Sequence, residues 1–196
     1  MTENNIISDT HSSTDAKERS RIRSLVYVAM MAAVLCILGP WSIPIGPIPI
    51  SLGLIGVFLS AYLLGAKRGT AAVAVYLLLG AVGLPVFTGF AGGLAKVAGP
   101  TGGYMIGYLI AAACTGWAVD TFSSDRWYLH LIAMIVGLIG CYALGTVWFT
   151  IQSGMGFAEA LSICVIPFIA FDLIKIALCL ILGITIKRAL AAAHLI

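Results

Sequence analysis

Two opposite charges stand three residues apart in an otherwise apolar run, Asp172 and Lys175 in P-F-I-A-F-D-L-I-K-I-A-L. On a helix, positions i and i+3 share one face, so the carboxylate and the ammonium project together. Asp172 falls about twelve residues into the run, at mid-membrane depth if the run spans a bilayer. An ionised group there costs about 2.5–3.5 kcal/mol on insertion scales, and such residues mark a ligand or ion path by default. The competing reading is a pair that only neutralises its own burial. A neutral pair sets an acceptor beside a donor, which suits a compact, uncharged ligand head with both N–H and C=O groups. Pro167, upstream on the same run, frees a backbone carbonyl and is expected to kink the helix.

A second constellation runs from Gly83 to Tyr104, G-L-P-V-F-T-G-F-A-G-G-L-A-K-V-A-G-P-T-G-G-Y. Glycines such as Gly92 let irregular backbone approach a ligand closely, and Pro100 suits the first turn of a new helix. The unpaired N–H groups of that turn form a donor site. Phe90 and Tyr104 offer aromatic walls, and Lys96 is a candidate partner for a ligand carboxylate. Close helix packing by small residues, belt aromatics and a solvated loop lysine are the plainer readings of the same residues.

Near the start of the apolar part, Ala29 and Ala33 stand one turn apart in A-M-M-A-A. Small residues at this spacing let another helix approach closely, and Gly99, Gly103 and Gly107 repeat the spacing further on. The five cysteines all fall in apolar runs without a C-x-x-C pair, so they read as small buried hydrophobes. The three histidines are far apart, and no metal or other cofactor is implied. No G-x-x-x-x-G-K-[ST], H-E-x-x-H or G-x-S-x-G occurs, and no acidic cluster exists to hold Mg²⁺. The chain has neither a nucleotide cradle nor a catalytic cluster, so it does not read as an enzyme.

The elements that must carry these residues follow from composition. Of 196 residues, 61% are hydrophobic and 10% charged, and the mean hydropathy is +1.06. A soluble domain carries about 25% charged residues, so this chain cannot cover a soluble surface, and nucleic-acid binders and disulfide scaffolds are excluded with it. Spanning about 30 Å of hydrocarbon takes about 20 apolar residues, and only helices give runs this long. Six stretches qualify: about Ser24–Trp41, Ile50–Ala66, Thr70–Phe87, Thr101–Val119, Tyr128–Ile151 and Ala160–Leu182. The expected fold is an all-α integral membrane protein of six transmembrane helices in a lipid bilayer.

Lysine and arginine orient it. Basic clusters flank the N-terminal side (Lys17, Arg19, Arg21, Arg23), fill the second loop (Lys67, Arg68), and reappear at Arg126 and at Lys187 and Arg188. By the positive-inside rule both termini are cytoplasmic, and loops one, three and five face outward. Residues 1–23, polar and of mixed charge, are expected as a disordered cytoplasmic tail. Residues 24–190 form the membrane domain, and 191–196 a cytoplasmic C-terminus. Pro44, Pro47 and Pro49 make loop one a semi-rigid flap beside the Gly-rich loop three.

G-L-P-V-F (Gly83–Phe87) with the following glycines, G-P-T-G-G-Y-M-I-G-Y (Gly99–Tyr108), P-F-I-A-F-D-L-I-K (Pro167–Lys175) and P-I-P-I-S-L (Pro47–Leu52) together resemble the BioY-type, biotin-specific S components of energy-coupling factor (ECF) transporters. The resemblance runs from about Arg23 to Arg188. It implies a multi-pass protein of a prokaryotic plasma membrane that binds biotin from outside and uses ATP hydrolysed by others. The implied partners are one transmembrane coupling protein and two ATPases, with the family's helix-one alanine motif at Ala29 and Ala33. Two positions depart from the family pattern: Gly53 stands where many relatives carry glutamine, and Lys96 where an apolar residue is usual. A stand-alone secondary carrier that couples uptake to protons through Asp172 is the alternative. It is disfavoured because residues 24–96 and 101–188 show no repeat.

Overall fold

The computed structural model describes residues 3–43, 50–123 and 125–193. It is a helical bundle, and its chain order is α1 (Glu3–Leu38), β1 (Ser42–Ile43), β2 (Ile50–Ser51), α2 (Gly53–Val82), α3 (Leu94–Ala98), α4 (Gly102–Thr121), α5 (Trp127–Ser153), α6 (Phe157–Cys164) and α7 (Ile166–Ala192). The only extended pairing among the described residues, apart from a single bridge in loop three, joins Ser42 with Ser51 and Ile43 with Ile50. It closes the base of loop one. The proline-rich segment 44–49 lies outside the described residues.

Five helical stretches are long and apolar enough to cross a membrane: Lys17–Leu38, Gly53–Val82, Gly102–Thr121, Trp127–Ser153 and Ile166–Ala192. Six were expected, and the difference lies in α2. Its backbone leaves helical geometry at Gly65 (φ 80°, ψ −177°). Eight residues of straight helix would set Ala61 and Gly69 about 12 Å apart. Yet a Cβ placed on Gly69 would lie 2.5 Å from the Ala61 Cα. The chain therefore folds back on itself, and residues 53–64 and 66–82 lie side by side without an intervening loop. A φ of +80° is open to glycine and costly for other residues. Asp120, at the end of α4, accepts the Ala66 N–H at 2.8 Å through Oδ2, so the second half of α2 starts with a partner for an otherwise orphaned donor.

Two further boundaries differ from the sequence reading. The tail expected to be disordered is helical, because α1 runs unbroken from Glu3. Extending an existing helix avoids the nucleation cost, and D-A-K-E-R-S-R-I-R is rich in good helix formers. Lys17 to Arg23 are exposed. The last expected span is divided at Val165 (φ −123°, ψ −53°), two residues before Pro167, into α6 and α7. A proline inside a helix removes one hydrogen bond and clashes with the carbonyl four residues before it, so the chain starts a new helix here and holds Pro167 in the first turn of α7.

Packing follows the small residues. α4 lies between α2 and α5, α1 packs on α2, and α7 packs on α2 and α5. At the α4–α5 contact, a Cβ on Gly107 would stand 2.8 Å from the Cys141 Cα, so a larger residue would push the helices apart. The buried core contains Leu35, Val57, Phe58, Tyr62, Val73, Met134 and Ile176. His130 is buried with it, its Nδ1 3.3 Å from the Tyr62 hydroxyl and its Nε2 3.4 Å from the Phe122 carbonyl oxygen.

Candidate functional site

Tyrosine in an apolar helix buries a ring at little cost, but its hydroxyl must find a partner. Tyr142 on α5 finds one on α7, where its Oη donates to Asp172 Oδ2 at 2.5 Å. One turn along α7, Lys175 Nζ donates to Asp172 Oδ1 at 2.7 Å. Asp172 and Lys175 are 6% and 7% exposed, so the pair is held out of bulk solvent. Each carboxylate oxygen has a second lone pair, and the ammonium has two more protons. The arrangement therefore keeps unused acceptor and donor capacity beside one another.

These groups border a cavity that opens to the surface. Its walls come from β2, both halves of α2, α4, α5, α6, α7 and loop three. Ser51 contributes from β2, Leu54 from the start of α2, Tyr76 from its second half, and Tyr104, Met105 and Tyr108 from α4. Leu138, Cys141 and Tyr142 line it from α5, Cys164 from α6, and Phe168, Asp172 and Lys175 from α7. Thr88 and Thr101, at the two ends of loop three, complete it. One polar corner in a largely aromatic and aliphatic wall is the usual chemistry of a small-molecule site.

Local structure fixes the aromatic walls. The Tyr104 hydroxyl lies 3.2 Å from Thr146 Oγ1 on α5, and the Tyr76 hydroxyl donates to the Val86 carbonyl at 3.2 Å. Tyr76 also meets Phe87 edge to face at 5.6 Å. The Trp148 indole N–H donates to the Gly99 carbonyl at 2.9 Å, which ties the end of loop three to α5. Ser51 Oγ accepts the Gly53 N–H at 2.9 Å and donates to the Gly39 carbonyl at 3.2 Å, pinning the start of α2.

The structure brings Asp172, Lys175 and Tyr104 together on one cavity. Phe90, Gly92 and Lys96 lie in loop three and are not among its lining residues. Phe90 is 61% exposed, has a left-handed backbone (φ 56°), and meets Trp41 edge to face at 6.0 Å. Gly92 is packed under the loop, where a Cβ would collide with the Leu84 carbonyl oxygen. Lys96 is half-buried on α3, a short helix the sequence reading took as loop. Ala29 and Ala33 are both exposed on α1.

Tyr142, Tyr108, Tyr76 and Phe168 escaped sequence reasoning. Their only signal is an aromatic side chain inside a span, and for the tyrosines a hydroxyl that lipid cannot satisfy. Cys141 and Cys164 were read as packing residues, and both also face the cavity.

Comparison with known proteins agrees with this geometry. The model of the BioY family matches residues 10–192. A protein named biotin transporter BioY from Thermotoga maritima is 41% identical over 169 residues, covering 85% of this chain and 97% of that protein. Biotin transporter BioY from Rhizobium etli is 37% identical, covering 82% of this chain and 91% of its own length. A crystal structure at 2.1 Å, described as the S-component for biotin from an ECF-type ABC transporter, matches with a TM-score of 0.79 at 34% identity. That match covers 87% of this chain and 93% of the other. With sequence and fold in agreement over nearly the whole length, the chain belongs to the BioY family.

Proposed function

We propose that this protein is the biotin-binding membrane subunit of an ECF-type transporter in a prokaryotic plasma membrane. The observation that carries the reading is the Asp172–Lys175–Tyr142 corner of the cavity. A ureido ring presents two N–H donors and one carbonyl. The free lone pairs of Asp172 accept the donors, and a remaining proton of Lys175 meets the carbonyl. Tyr104, Tyr108 and Phe168 supply surface for the thiophane ring and the valeryl chain. Lys96, the only charged residue between Arg68 and Asp120, serves the biotin carboxylate from loop three, with Phe90 and Gly92 shaping that loop.

The reversal at Gly65 supports six crossings, because the two halves of α2 run in opposite directions. With six crossings, all the basic clusters fall on one side, so both termini are cytoplasmic and the cavity mouth faces outward. The chain has no phosphate loop, and energy comes from a coupling protein and two ATPase subunits. The exposed Ala29 and Ala33 give the coupling protein a flat strip on α1.

The deciding experiment is titration of the detergent-purified chain with biotin, read by tryptophan fluorescence or calorimetry. Saturable binding is expected, and Asp172→Asn or Lys175→Met should weaken it at least tenfold, since hydrogen bonds to charged groups contribute about 1.5–3 kcal/mol. Folded variants that bind biotin normally would move the site elsewhere.

A further inference from the structure

What a cavity can read in its ligand depends on which of its polar hydrogens are unspent. At the Asp172 corner two ammonium protons of Lys175 and a lone pair on each carboxylate oxygen are free. Further along the wall the hydrogens are used up. Tyr76 donates to the Val86 carbonyl at 3.2 Å, Ser51 to the Gly39 carbonyl at 3.2 Å, and Cys141 Sγ to the Tyr104 carbonyl at 3.4 Å. The Tyr108 hydroxyl is engaged with Ser51, and Cys164 with the Tyr104 hydroxyl, which also lies 3.2 Å from Thr146 Oγ1. Leu54, Met105, Leu138 and Phe168 fill the rest, and their side chains carry no polar hydrogen. Unspent hydroxyls return at Thr88 and Thr101, the two ends of loop three, whose side chains make no hydrogen bond among the described residues.

The cavity thus offers hydrogen bonds at two places, with a stretch between them that has none to give. A bicyclic ureido acid laid along it puts its urea at the Asp172 corner and its carboxylate toward loop three. Its sulfur lies across the fused rings from the urea carbonyl, so Lys175, which holds that carbonyl, is on the far side of the head. The sulfur then meets the stretch without donors. A thioether is a weak acceptor and loses little there, whereas a sulfoxide oxygen is a strong acceptor and is left unpaired. We propose that the site reads the cyclic urea and the acid and is indifferent to the sulfur between them. It therefore takes a second class of ligand, single-ring ureido acids without sulfur, and turns away biotin oxidised at sulfur. The proposal rests on the biotin reading given above and specifies what else that site admits.

Competition against labelled biotin on the detergent-purified full chain tests it, with desthiobiotin and biotin sulfoxide as the probes. Desthiobiotin keeps the urea and the acid and lacks the sulfur. It should bind within about tenfold of biotin, since only one apolar atom is withdrawn from the wall. The sulfoxide should bind at least about tenfold more weakly than desthiobiotin, because its oxygen is buried without a donor. Asp172→Asn should weaken biotin and desthiobiotin by the same factor, as both use one corner. A loss beyond about tenfold for desthiobiotin, or a sulfoxide that binds as well as desthiobiotin, would show that the wall reads the sulfur and overturn the proposal. So would desthiobiotin binding that survives in Asp172→Asn while biotin binding is lost. Failure of biotin itself to bind would overturn the functional reading, and this inference with it.

Discussion

Tyr142 on α5 and Asp172 on α7 are joined across the bundle by a 2.5 Å hydrogen bond, which fixes the carboxylate that Lys175 also holds. The hydroxyl thus sets the direction in which the free lone pairs of Asp172 point. Tyr142→Phe removes this one donor and keeps the ring. Biotin affinity should fall about tenfold or more, from a loss of about 1.5–3 kcal/mol. The measurement is a biotin titration of the variant beside the unaltered chain. Unchanged affinity would reduce the bond to a packing detail.

Gly65 is the second test. Alanine there must adopt a φ near +80°, and its Cβ would collide with the Asp120 carboxylate that caps the second half of α2. Backbone strain of this kind costs about 1–3 kcal/mol. Gly65→Ala should lower the thermal midpoint in detergent. The protein that remains folded should keep its biotin affinity, since the reversal is at the opposite end from the cavity. A variant as stable as the parent would argue against the hairpin.

Binding and coupling should separate at α1. Ala29→Trp or Ala33→Trp adds bulk to an exposed strip and touches nothing in the cavity. Biotin binding by the isolated chain should stay nearly intact, while co-purification with the coupling module and ATP-driven uptake are lost. A variant that assembles normally and loses biotin would reverse this division of labour.

Orientation is tested by chemical labelling. A cysteine placed as Gly46→Cys, in a chain whose native thiols have been replaced, should react with an impermeant thiol reagent added to intact cells. Labelling only after permeabilisation would invert the topology.

The spans and the charged pair were legible because the bilayer imposes simple rules. Apolar length announces a crossing, and a buried charge announces either a partner or a ligand. Asp172 and Lys175 stand out in a run otherwise free of charge, and one helix face holds both. Tyr142 did not stand out, because its role depends on which residue of another helix it meets. The segment around Gly65 read as a short loop at Lys67 and Arg68, and a loop-free reversal needs a cap from Asp120, distant in sequence. The kink expected from Pro167 is a break two residues earlier, at Val165, because proline is tolerated in the first turn of a new helix and not inside a continuous one. Phe90, Gly92 and Lys96 share a segment whose sequence gives turn chemistry and not the direction of side chains.

Because Asp172 and Lys175 belong to one helix, their bond needs no other helix in place. The nascent segment can therefore leave the translocon as a neutral unit before the bundle assembles. Removing either charge strands the other during insertion, at about 2.5–3.5 kcal/mol on translocon scales. Single charge-removing variants should thus lower the amount of protein in the membrane as well as its affinity. The double variant Asp172→Asn with Lys175→Met should recover the amount and remain unable to bind. Biogenesis, as much as recognition, then keeps the two residues together.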